Sequence, residues 1–299
     1  MGKEVYESQR GALNVFKVED VCAVVVLYNC DRVILHNVKS LVTQAGHILL
    51  VDNGSLPTSL GYIRAIPSGN PISFIHNPSN LGIAEALNQG LAFASSRNFK
   101  LILTMDQDSV LSPGCVQGML DALNARPGLA SVGPVYGTSS AGSLGPKYKK
   151  VNALITSGNL TLVEAALKVG GFKKELFIDQ VDLAFSLDLQ DHGYGLVKVL
   201  NSFMLHAIGE HEGRNVGSMR YEVRSHSPLR HYYIFRNNIY ILRNYFFRHP
   251  LICLKNQILL LRYCVMFVLA HSEKGEKMAM MLKGLQDGFV GRYGQFHNN

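Results

Sequence analysis

Along the first half of the chain, short apolar runs that stop at polar loops alternate with stretches whose apolar positions recur every three or four residues. Val21 to Leu27 (VCAVVVL) is an apolar, valine-rich run that ends at Tyr28-Asn29. Such a run reads as a strand buried on both faces. Residues 32–44 follow with Val33, Ile34, Val38, Leu41 and Val42 at helical spacing. Ile48 to Val51 is a second buried run, stopping at Asp52-Asn53-Gly54-Ser55, and Ile72 to Ile75 a third, closed by His76-Asn77-Pro78. Asn80-Leu81-Gly82 opens a helix whose Ile83, Ala84, Leu87, Leu91 and Ala94 share one side. A fourth run, Leu101 to Met105, ends at Asp106-Gln107-Asp108-Ser109. Apolar strands alternating with helices predict an α/β fold with a mostly parallel central sheet covered on both faces.

Further on, Val116 to Leu123 has helical spacing, and Gly137 to Gly145 is a Gly/Ser-rich loop, long enough to expect a mobile segment over a site. Val151 to Gly158 leads into another apolar stretch, and Gly170-Gly171-Phe172 reads as a turn. Leu183, Phe185, Leu187 and Leu189 belong to a helix with Asp179 and Asp182 at its start. On a helix that i, i+3 spacing sets the two acids on neighbouring faces. Helix capping is as good a role for one of them as chemistry. Leu196 to Leu200 predicts a strand that runs on to His206.

The ends of these elements carry the candidate chemistry. Asp106 and Asp108, as side chains of a regular strand, would point the same way and repel. A hard cation shared with a phosphate relieves that repulsion, and the carboxyl ends of strands are where open α/β sheets bind ligands. A solvated turn is the plain alternative for a short motif of this kind. Asp52, at the end of the second run, is placed to hydrogen-bond a ribose hydroxyl or base edge. His206 alone would be a structural histidine; its company with these acids makes it a candidate ligand. No Gly-x-Gly-x-x-Gly follows the first strand, which weighs against a dinucleotide oxidoreductase, and no Gly-x-x-x-x-Gly-Lys-Ser/Thr occurs, which excludes a P-loop NTPase.

Composition, at 47% hydrophobic and 17% charged over 299 residues, is that of a folded globular protein. Charge is uneven: residues 1–209 carry 16 Lys+Arg against 16 Asp+Glu, and residues 210–299 carry 13 against 6. The surplus of +7 therefore lies in the last third, which is expected to meet something anionic. The five cysteines show no metal-ligand spacing, and residues 1–20 are polar and mixed in charge. Both features point to reduced thiols in a cytosolic protein.

Taken together, several stretches resemble the family-2 glycosyltransferases, inverting enzymes of the GT-A fold, and most of all their rhamnosyltransferase branch. They are Val24-Val25-Val26-Leu27-Tyr28-Asn29, Val51-Asp52-Asn53-Gly54-Ser55, Asn77-Pro78-Ser79-Asn80-Leu81-Gly82-Ile83-Ala84, Asp106-Gln107-Asp108-Ser109, Thr156-Ser157-Gly158, Phe177-Ile178-Asp179-Gln180-Val181-Asp182 and His206. Ser227-Pro228-Leu229-Arg230-His231-Tyr232-Tyr233 and Arg236-Asn237-Asn238 continue the likeness. The resemblance implies a nucleoside-diphosphate sugar donor, with dTDP-L-rhamnose in the lead, and Mg2+ or Mn2+ as cofactor. It implies Tyr28, Asn29, Asp52, Asn53, Asn80, Gly82, Asp106 and Gln107 on the nucleotide and donor, and Asp108 and His206 on the metal. For the catalytic base it offers Asp179 first and Asp182 second. Relatives often carry an acid where this chain has Gln180, and Gln takes no proton. The alternatives are transfer of another nucleotide sugar and a non-catalytic nucleotide-sugar-binding protein.

This reading divides the chain into an N-terminal extension (1–20), a catalytic domain (21–215) and a basic, aromatic-rich helical region (216–299). Within the catalytic domain, 21–110 is the nucleotide-binding part and 111–215 the acceptor side. Residues 228–248 interleave arginines with aromatics, a recipe for single-stranded nucleic acid, but no nucleic-acid motif accompanies them. Leu251 to His271 is strongly apolar with Arg262 near its middle. Lys255 and Arg262 fall on one helix face, with Leu260, Cys264, Phe267 and Val268 opposite, as in an interfacial helix. Packing on the catalytic domain or on a dimer partner is the alternative. The resemblance implies a lipid-linked saccharide acceptor of bacterial O-antigen or surface polysaccharide synthesis, which suits peripheral attachment to the inner face of the cell membrane.

Overall fold

The structure, a computed structural model, describes residues 15–66, 71–137, 148–206, 211–216, 219–224, 226–270 and 275–297, with side chains for all but 206, 211–216, 219–224 and 269–270. Its strands are β1 (Val21–Leu27), β2 (His47–Asp52), β3 (Ile72–His76), β4 (Leu101–Asp106), β5 (Ser109–Leu111), β6 (Leu129–Tyr136), β7 (Tyr148–Lys150), β8 (Asn159–Leu162), β9 (Gly195–His206), β10 (His211–Val216) and β11 (Met219–Arg224). Its helices are α1 (Val33–Leu41), α2 (Leu60–Arg64), α3 (Ile83–Ser96), α4 (Cys115–Ala125), α5 (Val163–Lys168), α6 (Val181–Asp191), α7 (Pro228–Tyr245), α8 (Pro250–Ala270) and α9 (Gly275–Val290).

The main sheet runs β3-β2-β1-β4-β8-β6-β9-β5, with β7 also paired to β9. β3, β2, β1 and β4 are parallel neighbours. β8 joins antiparallel to β4 and β6, and β6 and β9 pair parallel. Alternation along β1 divides the core in two. Val21, Ala23, Val25 and Leu27 pack with Ile34, Val38 and Leu41 of α1, while Cys22 and Val24 pack with Ala84, Leu87 and Leu91 of α3. A period of two with apolar residues at every position covers both faces.

Register aligns the carboxyl ends of the parallel strands into one rim. Leu27 pairs with Asp52, Asp52 with His76, and Val26 with Asp106. Neighbouring strands lie about 4.8 Å apart, so Asp52 and Asp106 stand on either side of the end of β1.

The last three helices pack against this body. Ser227 caps α7, its hydroxyl accepting the Arg230 amide, and Pro228 takes the first helical position. Tyr240, Ile241 and Tyr245 of α7 enter the core under α6, and Tyr232 and Tyr233 close over Phe177. Most of the aromatic faces that a nucleic-acid strand would need are therefore buried, with Phe246 and Phe247 beyond the helix exposed. α9 lies so close to α7 that a Cβ on Gly284 would stand 2.3 Å from the Tyr232 carbonyl oxygen. Arg236 is wholly buried and donates to the carbonyls of Gly294, Glu175 and Leu176.

α8 departs from the expected orientation. Leu260, Cys264 and Phe267 pack with Phe235 and Met281, so the apolar side opposite Lys255 and Arg262 is mostly turned inward; Val268, expected with it, is exposed. The outward side is apolar as well: Leu251, Leu254, Ile258, Leu261, Val265 and Val268 are exposed, with Lys255 and Arg262 beside them. The expected loop at Gly137 to Gly145 lies, from residue 138 on, outside the described residues.

Candidate active site

Asp52 is nearly buried at the rim. Its Oδ1 accepts the Ser55 amide at 3.1 Å, and its Oδ2 lies 3.3 Å from Nδ1 of the exposed His76. Asn53 beside it is saturated. It donates to Asn80 Oδ1 at 3.0 Å and to the Gly82 carbonyl at 3.2 Å, and accepts from Asn77 at 3.2 Å and the Leu81 amide at 3.1 Å. Buried amides persist only when so paired, and this network sets the loop after β2 against the loop before α3. Asn80 Oδ1 also accepts the Gly82 amide at 2.9 Å. Tyr28 and Asn29 form the facing lip. The Gln107 side chain accepts the Tyr28 amide at 2.8 Å and donates to the Tyr28 carbonyl at 3.2 Å. The Asn29 carboxamide oxygen accepts the Leu56 amide at 2.8 Å.

Asp106 ends β4, but Asp108 lies in the turn before β5, so the strand geometry expected for the pair does not apply. The turn is fixed from beneath. Buried Asn37 of α1 donates to the Asp106 carbonyl at 2.9 Å and to the Ser109 carbonyl at 2.6 Å. Ser157 Oγ accepts the Asp106 amide at 3.1 Å and donates to Ser109 Oγ at 2.8 Å. Ser109 pairs with His206 across β5 and β9. That register brings His206 to the same turn, although its side chain lies outside the described residues.

The second acid group lies where the chain enters α6. Phe177, Asp179 and Gln180 all have φ near +64° (63°, 64° and 64°), a left-handed region that non-glycine residues rarely occupy and that gathers at functional sites. Asp179 therefore precedes α6 instead of lying on it, and the helical i, i+3 relation to Asp182 is absent. Neither acid caps the helix: Gln180 is the N-cap residue and makes no side-chain capping bond. Asn237 of α7 holds the loop, donating to the carbonyls of Leu176, Ile178 and Asp179 at 2.9, 2.7 and 2.9 Å. Arg230 grips the Asp179 carboxylate through two nitrogens, Nε to Oδ2 at 3.3 Å and Nη2 to Oδ1 at 3.1 Å. The Gln180 carboxamide faces Asn256 of α8 at 3.5 Å.

Burial pushes both carboxyls up. Asp179 is raised by desolvation, against which Arg230 and, less, His231 pull down. Asp182 is raised by desolvation and by Asp179, while the Leu183 amide pulls it down. The Tyr136 phenol, at the end of β6, is raised by burial and then by the charges of Asp182 and Asp106. One buried phenol thus feels a carboxylate from each half of the fold. The Tyr136 hydroxyl lies within electrostatic reach of an acid of β4 and an acid of α6.

The donor set suits a hard divalent cation. Asp106 and Asp108 offer carboxylate oxygens, the ligands such ions take. Among the described residues no group of three or more His, Cys, Asp or Glu surrounds one point. A protein that supplies few ligands leaves the others to phosphate oxygens and water, the usual arrangement for Mg2+. Residues without a role in the sequence reading are Asn37, a polar position inside an amphipathic helix, and Tyr136, in a strand without clear alternation. Neither carries a local signal; only the fold brings them to the site.

A family model described as glycosyl transferase family 2 matches residues 22–175. The dTDP-rhamnosyl transferase RfbF of Shigella flexneri is 26% identical over 91% of this chain and 96% of its own length. The mannosyltransferase PcManGT from Pyrobaculum calidifontis, solved in complex with GDP-Man and Mn2+, is similar with a TM-score of 0.55 at 12% identity, over 91% of this chain and 86% of its own. S. aureus TarS in complex with UDP-GlcNAc is similar with a TM-score of 0.55 at 13% identity, over 91% and 81%. At such identities these two structures speak for the fold.

Proposed function

The chain belongs to glycosyl transferase family 2 and has the GT-A fold, and from that premise we propose that it transfers L-rhamnose from dTDP-L-rhamnose to a lipid-linked saccharide with inversion at the anomeric carbon. The observation that carries a transferase reading is the hydrogen bond from the Ile83 amide to the Phe177 carbonyl at 2.8 Å, which joins the Asp179 loop to the loop that Asn53 holds beside Asp52, because transfer needs a donor site and an acceptor base next to each other. The donor sugar rests on the relative RfbF, whose likeness extends over nearly the whole of both chains.

Asp52 takes the base or ribose, with Tyr28, Asn29 and Gln107 forming the lip over the nucleotide. Asn53, Asn80 and Gly82 shape the loop beneath it. Asp106 takes the ribose, and Asp108 with His206 would hold Mg2+ or Mn2+, which when bound supplies Lewis-acid charge opposite the leaving diphosphate. The acceptor hydroxyl gives its proton to a carboxylate, Asp179 first and Asp182 second, as general base. Its oxygen bonds to the anomeric carbon as the bond from that carbon to the diphosphate oxygen breaks. Holding both substrates in line supplies on the order of 7–11 kcal/mol of the barrier. The exposed apolar stripe of α8 with Lys255 and Arg262 suits peripheral contact with an anionic membrane surface on the cytoplasmic side, where such an acceptor resides.

A panel of dTDP-L-rhamnose, UDP-GlcNAc and GDP-mannose, each with Mg2+, Mn2+ or a chelator, tests this. Metal-dependent turnover of dTDP-L-rhamnose above the others is expected. Turnover of another donor moves the reading to that sugar. A second reading, a nucleotide-sugar-binding protein, rests on Gln180 and predicts thermal stabilisation by donor without turnover.

A further inference from the structure

Arg230 lies at the start of α7, half-exposed, and spends two guanidinium nitrogens on one carboxylate. Paired hydrogen bonds of this kind fix geometry as well as charge. The carboxylate they hold sits in the most constrained loop at the site, with left-handed backbone at Phe177, Asp179 and Gln180 and with the Asp179 carbonyl tied to Asn237. We propose that Arg230 is a positioning residue of the active site: it fixes the orientation of the Asp179 carboxylate and serves as the counter-ion that lets it stand there as an anion. This inference rests on the reading of Asp179 as the base, and it adds the residue that makes such a base workable.

The surroundings of Asp179 make the need plain. From α7 it faces Arg230 and His231, from α6 Asp182, and from α8 Tyr263. Asp182 is a like charge, and burial disfavours the anion further. Tyr263 brings no cation, its hydroxyl lying 2.7 Å from Nε2 of His231. His231 Nδ1 lies 2.9 Å from the Ser227 carbonyl, so the ring is held by α7 and α8 rather than by Asp179. Arg230 bonds the carboxylate directly, through two nitrogens. Arg230 is half-exposed but Asp179 is mostly buried, so removing Arg230 leaves an unpaired buried anion. The helix start does not depend on the pair, because the cap uses the Arg230 backbone amide.

Thermal unfolding from about pH 4 to about pH 8 of the wild type, R230Q, R230K, D179N and R230Q/D179N tests the coupling without needing activity. Removing Arg230 raises the folded-state pKa of Asp179 further. Below it the carboxyl is neutral and costs nothing; above it an unpaired buried anion remains. The Tm deficit of R230Q is therefore expected to grow by a few degrees as pH rises, to shrink in R230K, and to vanish when D179N is the background. A deficit that is the same at every pH, or that survives in D179N, overturns the proposal. The pH profile of turnover then separates the two readings. With the coupling present, an acidic limb that moves to higher pH in R230Q supports both. A limb that stays in place with the coupling present removes Asp179 as base and leaves its ion pair standing.

Discussion

The Phe177 carbonyl oxygen accepts the amide of Ile83 at 2.8 Å, so the loop that carries Asp179 is attached to the first turn of α3. Gly82, with φ of +85°, lets the chain pass that carbonyl; a Cβ there would meet the Phe177 ring at 2.6 Å and its carbonyl oxygen at 2.7 Å. The loop that Asn53 holds and the acid loop share one joint.

Gly82→Ala is accordingly expected to affect both halves of the site. Left-handed backbone with a Cβ costs about 1–3 kcal/mol before the clash is counted, so Tm should fall by several degrees. Turnover should fall together with donor affinity. Calorimetry and donor titration check this; a variant with normal Tm and normal affinity would show that the joint is not needed.

The parallel half of the sheet was legible because its strands are apolar at every position and stop at turn residues: β1 spans Val21–Leu27 as the pattern reads. β6 and β8 were not, since they are paired through distant residues and their own alternation is weak, nor was the local β10–β11 hairpin, whose strands are mostly polar. At the site, Asp52 and Asp106 could be placed by strand ends. The position of Asp179 could not, because left-handed residues other than glycine leave no mark in a sequence and the loop is set by Asn237, 58 residues away. Most aromatics of α7 proved to be interior, and with them Arg236, whose guanidinium is satisfied by the neighbouring Asn237 side chain and by carbonyls of Glu175, Leu176 and Gly294 that the chain brings from afar.

Asp182 lends itself to a test by pH. Its carboxyl is raised mainly by burial, so the folded state binds the proton more tightly than the unfolded chain. Stability is then greatest at acid pH with respect to this group, and is lost as pH rises from the unfolded pKa through the folded one. Asp182→Asn keeps an oxygen for the Leu183 amide and removes the buried charge. It should raise Tm at neutral pH and have little effect at pH values below about 4. Thermal melts across pH decide; a variant less stable at neutral pH would contradict the assignment.

The α8 stripe gives a separable prediction. Ile258→Glu and Leu261→Glu, both on the exposed side, should weaken cosedimentation with vesicles containing anionic lipid by about tenfold or more each, given roughly 1.5–3 kcal/mol for burying such a side chain. Hydrolysis of a soluble donor should be unchanged. Equal vesicle binding by wild type and both variants would leave the stripe without a lipid role.

The most direct measurement is turnover of dTDP-L-rhamnose with Mg2+ or Mn2+ by the wild type, Asp179→Asn and Asp182→Asn, with donor binding followed in parallel. Loss of turnover in Asp179→Asn by roughly 10²–10⁴-fold, the usual worth of a general base, with donor binding kept, is the expected result. Full turnover in both variants would contradict the placement of the base in this loop.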